Sequence, residues 1–368
     1  NQGNQESILL LSFKTGNMGT RSNTALTPDE MNIDNMTIGI YSSDGQTLKT
    51  VQKLTKGSKD EASSGGNMFY IEGSNAVAKI VTTAALTAGD QVLVAANTGS
   101  ADFSNKGTAA GFKSVEIDAT TALTGTSAGG ALTAAKLPKF STSSGTLQTT
   151  TNKSEFTTAS DIKLKNLVSK ISLQSITVDF TNPGPYAEAT FEPQEMYLES
   201  VPNKMVFSET AWVDNPDSYL SGRDAAEGGS KDFLKVTLST PEGGKVLNAT
   251  KNTYNGTTDD VLYTIPNIKT DANRTVLVIK GKFSTETDPV YYKLPLNVVG
   301  YNSTGQLSGA VADGTKAFQI PAGKNIKCSI TITTIGSTNP DAESGPLTAT
   351  LNVTVDSWED LTQNTNFE

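Results

Sequence analysis

The sequence predicts an all-β protein built as two tandem β-sandwiches of about seven strands each. Three observations carry that expectation. Short Val, Ile, Leu and Tyr runs with period-two alternation recur through both halves, while helical periodicity is almost absent. Charged residues make up 18% of the chain, below the roughly 25% of an average globular domain. Thr, Ser, Asn and Gly fill the gap, and these favour strands or turns. The length of 368 residues exceeds one ordinary sandwich core and accommodates two.

The first element spans Glu6 to Phe13 (ESILLLSF), with Ile8 and Leu10 on one face and Leu9, Leu11 and Phe13 on the other. So continuous an apolar run suits a strand buried on both sides. A polar loop follows over 14–29, with Arg21 and Ser22 in its middle. Met36–Tyr41 reads as the next strand, closed by the turn Ser42–Gly45, and Ala76–Thr83 and Gln91–Ala96 continue the rhythm. The Thr-, Ala-, Gly- and Ser-rich stretch 97–160 predicts long loops with one short helix. Asn166–Phe180 alternates with one phase change near Ser169–Lys170, which a β-bulge would absorb. Ala189–Val201 completes the first set.

Turn formers and charges over Pro202–Gly229 mark the expected boundary, giving domains 1–205 and 206–368. The second set comprises Phe233–Leu238, Val261–Ile265, Thr275–Phe283, Val290–Val299, Ala317–Ile320, Ile326–Ile335 and Leu347–Val355. In the last of these, Leu347, Ala349, Leu351, Val353 and Val355 alternate strictly with Thr and Asn, and Trp358 follows. This terminal strand lies beyond a Gly- and Pro-containing hinge, Gly336–Pro346. By pattern it is the last strand of the second sandwich. A terminal strand on a hinge is also what adding a strand to a neighbour's sheet requires.

Much chemistry is excluded. With no histidine in the chain, His-based triads and His-ligated zinc are ruled out. The only cysteine, Cys328, sits in an alternating strand and reads as a core residue rather than a nucleophile. No phosphate-binding loop is present, and a net charge of −9 argues against a nucleic-acid partner. No apolar run is long enough for a membrane-spanning helix. Asp214, Asp217 and Asp224 lack the spacing of a calcium loop and read as solvated. No catalytic residue, metal or cofactor is expected, although the 38 acids leave a carboxylate-pair hydrolase formally open.

Arginine occurs only at positions 21, 223 and 274. Arg21 lies in a polar loop just after one apolar strand, the kind of segment that proteases nick.

Several stretches, in order, carry a resemblance: the first strand with its loop and Arg21, MTIGIYSSDGQ (36–46), QVLVAANTG (91–99), LKNLVSKISLQSI (164–176), FEPQEMYLESV (191–201), VLYTIPN (261–267), TVLVIKGKF (275–283), VYYKLPLN (290–297), and KNIKCSITITTIGSTNP leading to LNVTVDSWEDLTQN (324–364). Together they resemble, nearly end to end, the FimA-like major fimbrillins, stalk subunits of the type V pili of Bacteroides-type bacteria. The resemblance implies paired transthyretin-like sandwiches in a non-enzymatic surface protein that supports adhesion. It implies export through the outer membrane as a lipoprotein precursor whose lipid anchor lies upstream of Asn1; the start at Asn1 without Met is read as a processed end. An Arg-specific protease would cut between Arg21 and Ser22 and release Ile8, Leu9, Leu10, Leu11 and Phe13. The donor strand 347–358 (Leu347, Ala349, Leu351, Val353, Val355 and Trp358) of another copy would fill the vacancy in a linear polymer that also contains anchor and tip subunits. A tip or accessory adhesin that binds a host glycan or protein is the alternative within the same family.

Overall fold

Alternating apolar residues in the first hundred positions form strands whose inward faces are almost entirely Leu, Ile, Val and Ala. The structure, a computed structural model, describes residues 6–14, 28–72, 75–123, 136–141, 145–152, 154–159, 162–180, 185–224, 231–298, 300–301, 307–310, 312, 314–345, 348–357 and 361–363. The strands of the N-terminal part are β1 (Ser7–Lys14), β2 (Asn35–Tyr41), β3 (Leu48–Lys56), β4 (Met68–Glu72), β5 (Asn75–Thr82), β6 (Gln91–Ala96), β7 (Glu116–Asp118), β8 (Lys139–Ser141), β9 (Gly145–Thr149), β10 (Glu155–Thr158) and β11 (Lys163–Asn166). Among the described residues, four short helices accompany them: α1 (Pro28–Met31), α2 (Lys59–Ser64), α3 (Ala109–Lys113) and α4 (Ala119–Leu123). α2 starts on a capping box, in which the Ser58 side chain accepts from Glu61 N while the Glu61 side chain accepts from Ser58 N.

The sheet runs β10-β9-β6-β2-β3-β4-β5-β1 and closes where β1 pairs with β10. The expected N-terminal sandwich is therefore a closed barrel. Each of its strands contributes to one core, among them Leu9, Ile38, Leu54, Phe69, Ile80 and Val94. β6 is buried on both faces, because Val92, Val94 and Ala96 join that core while Leu93 and Ala95 face a larger one.

The second half contains β12 (Ser169–Val178), β13 (Phe191–Glu199), β14 (Val201–Pro202), β15 (Lys204–Val206), β16 (Tyr219–Leu220), β17 (Lys235–Thr237), β18 (Thr253–Asn255), β19 (Val261–Thr264), β20 (Val276–Phe283), β21 (Val290–Pro295), β22 (Gly300–Tyr301), β23 (Leu307–Ser308), β24 (Lys324–Ile332), β25 (Ala349–Ser357) and β26 (Leu361–Gln363). One sheet runs β18-β12-β24-β25, with β19 also on β12, and a second runs β17-β13-β20-β21. Ile171, Leu173 and Ile176 of the first share a core with Met196, Leu277 and Ile279 of the second. The turn before β24 depends on Gly323, whose φ is +66°; a Cβ there would lie 2.8 Å from the Asn166 carbonyl oxygen.

Several expectations are corrected. The strands expected at 166–180 and 189–201 to complete the first set instead pair with β18, β19 and β24, and with β17 and β20. Alternation identifies a strand without naming its partner, and here the partners lie 38 or more residues downstream. The described residues of stretch 97–160, expected as long loops with one short helix, include two helices, α3 and α4, and the strands β7 to β10. The bulge in β12 falls between Leu173 and Ser175, not near Ser169–Lys170.

Candidate functional site

Two elements singled out by sequence, the first strand and the terminal one, are set in different sheets. β1 pairs antiparallel with β5 through all eight of its residues, from Ser7↔Thr82 to Lys14↔Asn75. Its other edge is shared. Ile8 and Leu9 pair with Glu155 and Phe156 of β10, and Phe13 and Lys14 pair with Gln363 and Thr362 of β26. Leu9 and Leu11 are completely buried in the barrel core. Ile8 and Leu10 are only half-buried, so one face of β1 carries the burial rather than both. The Phe13 side chain, Arg21 and Ser22 lie outside the described residues.

β25 pairs with β24 over nine positions, from Lys324↔Ser357 to Ile332↔Ala349, and forms the edge of its sheet. Ala349 and Leu351 are buried in the larger core, and Val353 packs half-buried against it. Val355 is registered opposite Ile326, while its side chain, Leu347 and Trp358 lie outside the described residues. The chain then crosses to the barrel. There β26 sits between β1 and β11, with Leu361 opposite Leu164 and Thr362 opposite both Lys163 and Lys14. Three residues are too few to show periodicity, so β26 was not legible in the sequence.

The hinge expected at Gly336–Pro346 is largely tied down. Ser337 exchanges hydrogen bonds with Tyr291 (Tyr291 N to Ser337 O 2.8 Å; Ser337 N to Tyr291 O 3.2 Å), and Ser344 N donates to Lys293 O at 3.1 Å. Arg223 reaches Asp341 at 2.7 Å and Arg274 reaches Glu343 at 2.6 Å. Arg223 also donates through Nε to Glu199 at 2.7 Å. Burial works against the Arg223 charge, but hydrogen bonds to Asp341 and Glu199 outweigh it and raise its pKa. The Asp341 carboxyl is correspondingly lowered, first by the hydrogen bond from Arg223. Two of the three arginines thus hold the segment that leads into β25.

A buried polar cluster, not legible in the sequence pattern, lies just downstream of the 14–29 loop. The Glu30 carboxylate in α1 is completely buried and accepts from Lys170 Nζ of β12 at 2.7 Å and from Tyr263 OH of β19 at 2.5 Å. Burial, with the Glu30 charge beside it, drives the Tyr263 pKa well above its ordinary value. Glu30 thereby fastens the segment after the loop to the second half. Glu30→Ala removes the carboxylate that both partners use, and should cost about 3–5 kcal/mol of unfolding free energy in a denaturant titration. A loss below 1 kcal/mol, roughly the worth of a surface pair, would contradict the buried arrangement.

Cys328 is buried opposite Leu173 and Val353, and burial pushes its thiol up to about 12, the opposite of what a nucleophile needs. Asp217 faces Lys204 at 3.3 Å. Among the described residues no group of acidic or Cys side chains is arranged to hold a metal ion.

No family model matches the chain, and no curated protein matches it in sequence. Solved structures do match in fold. A protein assigned to cell adhesion from Parabacteroides distasonis superposes with a TM-score of 0.62 at 14% identity, over 96% of this chain and 97% of that one. A second assigned to cell adhesion, from Bacteroides eggerthii, gives 0.58 at 17% identity over 96% of each chain. A fimbrilin, FimA, from Porphyromonas gingivalis gives 0.56 at 16% identity over 96% of this chain and 98% of that one. Over nearly its whole length, the chain has the fold of these Bacteroidales adhesion and fimbrilin proteins.

Proposed function

We propose that the chain is a structural subunit of a surface fimbria, its stalk pilin, and that it polymerises by protease-triggered donor-strand exchange. One observation carries the reading. The strand before the Arg21 loop is a full stave of the barrel, paired along eight residues and supplying Leu9 and Leu11 to the core. Cleavage between Arg21 and Ser22 would free that stave from the rest of the chain. Its departure leaves a slot of matching length, an open β5 edge and a hole in the core.

β25 suits that slot. It has nine residues against eight, the same period of two, and Leu351 and Val353 at the spacing of Leu9 and Leu11. Two buried leucines lost and two comparable apolar side chains gained, each worth roughly 1.5–3 kcal/mol, nearly balance. Tethering then decides the outcome. Uncut, β1 competes at the high effective concentration of an attached segment; cut, it is an ordinary peptide that dilutes away. Because β26 rests partly on β1, loss of β1 also removes one of the two strands that hold the chain's tail. Opening of the slot and loosening of the donor are thereby linked.

In this reading the subunit works as two units in the transthyretin-like plan, an N-terminal one that gives up its first strand and a C-terminal one that lends its last. The working division lies near Leu167 rather than at 205, because β12 and β13 pair within the second half. The partners are further copies in a linear polymer, anchor and tip subunits, and an Arg-specific protease. The location is the cell surface, reached as a lipoprotein precursor, and the role is adhesive scaffolding without catalysis.

Treatment of the purified chain with an Arg-specific protease should release the segment ending at Arg21 and produce ladders on a non-reducing gel. Arg21→Ala should stay monomeric under the same treatment. Ladders from Arg21→Ala equal to those of the unaltered chain would refute the proposal.

A further inference from the structure

β26 rests on two strands, β1 and β11, and only the first lies before the Arg21 loop. Gln363 and Thr362 pair antiparallel with Phe13 and Lys14 of β1. On the other edge Thr362 and Leu361 pair with Lys163 and Leu164 of β11. β11 needs that cover, because Leu164 is completely buried in the barrel core and an uncovered edge would present unpaired main-chain groups. β25 ends at Ser357 and β26 starts at Leu361. A β25 that moves into another subunit therefore takes β26 with it.

Register says where β26 arrives. A donor β25 that sets Leu351 in place of Leu9 and Val353 in place of Leu11 brings Val355 to the place of Phe13 and Asp356 to that of Lys14. Those are the two β1 residues that β26 pairs with. To keep its seat against the new strand, Gln363 must pair with Val355 and Thr362 with Asp356. That is the register of an antiparallel hairpin closed by Ser357 opposite Leu361, with Trp358, Glu359 and Asp360 as its loop. Three-residue loops are among the common hairpin connections, and their last position takes the left-handed conformation, which Asp tolerates. The neighbouring registers fail. Shifted by two residues one way, Ala349 replaces Leu9 and leaves a hole in the core. Shifted the other way, one loop residue remains, fewer than the two that a hairpin needs. The pairing that fills the core and the pairing that closes the loop are the same.

We propose that the donor is a β-hairpin rather than a lone strand: β25 and β26 of one copy together replace β1 and β26 of the next. The proposal rests on the strand-exchange reading and adds a second contact to it. The incoming hairpin reproduces the pairings that the departing strands made with β5, β10 and β11. Each subunit's own β26 leaves the β11 seat as it follows β25 outward, and the next copy's β26 refills it.

Lys163→Cys/Thr362→Cys tests this, because these registered partners belong to one chain before exchange and to two chains after it. Directly opposed antiparallel residues stand within disulfide range. In the uncut variant, oxidation should close the pair within single molecules, which also shows that the variant folds. The variant is then cut with an Arg-specific protease and assembled in reductant, with polymers scored by size-exclusion chromatography. Oxidised and boiled in SDS without reductant, those polymers should give covalent ladders, while either single variant gives at most a dimer. Polymers whose cysteines close within single chains, or stay open, would overturn the hairpin and leave strand exchange standing. Failure of both the variant and the unaltered chain to polymerise after cleavage would overturn strand exchange and the hairpin together.

Discussion

Leu9→Ala is expected to let uncut subunits polymerise. Leu9 is fully buried in the barrel core on the strand that the proposed mechanism discards. Truncating a buried Leu to Ala costs about 2–5 kcal/mol, which weakens β1 as occupant of its own slot by roughly 30-fold to several thousand-fold. A neighbour's terminal strand, unaffected by the change, then competes successfully without proteolysis. Size-exclusion chromatography of the uncut variant should show oligomers where the unaltered chain is monomeric. After cleavage the altered strand is gone, so polymers of variant and unaltered chain should unfold alike. An uncut variant that is destabilised yet stays monomeric would mean that the slot beside β5 is not where a neighbour docks.

How far the sequence could be read depended on how apolar each strand is. β2, β6 and β20 are largely apolar runs buried along most of their length and were placed to within about a residue, and β1 was bounded almost as well. β3 was missed because its exposed face is Lys, Thr and Gln and only Thr50 and Leu54 are buried along it. β7 to β10 run three to five residues each, below the length at which period two separates from chance. The misplaced phase change has a different cause. Ser169 and Lys170 were read as a break because they are polar, yet both are buried, Lys170 against Glu30 and Ser169 through its hydroxyl on the Pro321 carbonyl. Interior charge looks like surface in a one-dimensional reading, and its partner, 140 residues away, leaves no local trace. The same limit hid the ties that Arg223 and Arg274 place on the segment before β25.

Locking the terminal strand to its own sheet should stop assembly outright. Ser329 and Asn352 are registered partners near the middle of the β24–β25 pair, and directly opposed antiparallel residues stand about 4.5–5.5 Å apart at Cα, within disulfide range. The double variant Ser329→Cys/Asn352→Cys, once oxidised, holds β25 in place while leaving β1 and the Arg21 loop untouched. Cys328 is next in sequence but is wholly buried with its thiol pushed up to about 12, so it stays out of the exchange. Cut by an Arg-specific protease, the oxidised variant should lose its first segment and remain monomeric; adding a reductant should release ladders at the rate of the unaltered chain. The ties along 337–344 predict that the moving part starts after Gly345, so restraining β25 alone suffices. Ladders from the cut, oxidised variant would show that a different segment crosses between subunits, because a cross-linked β25 cannot leave its sheet.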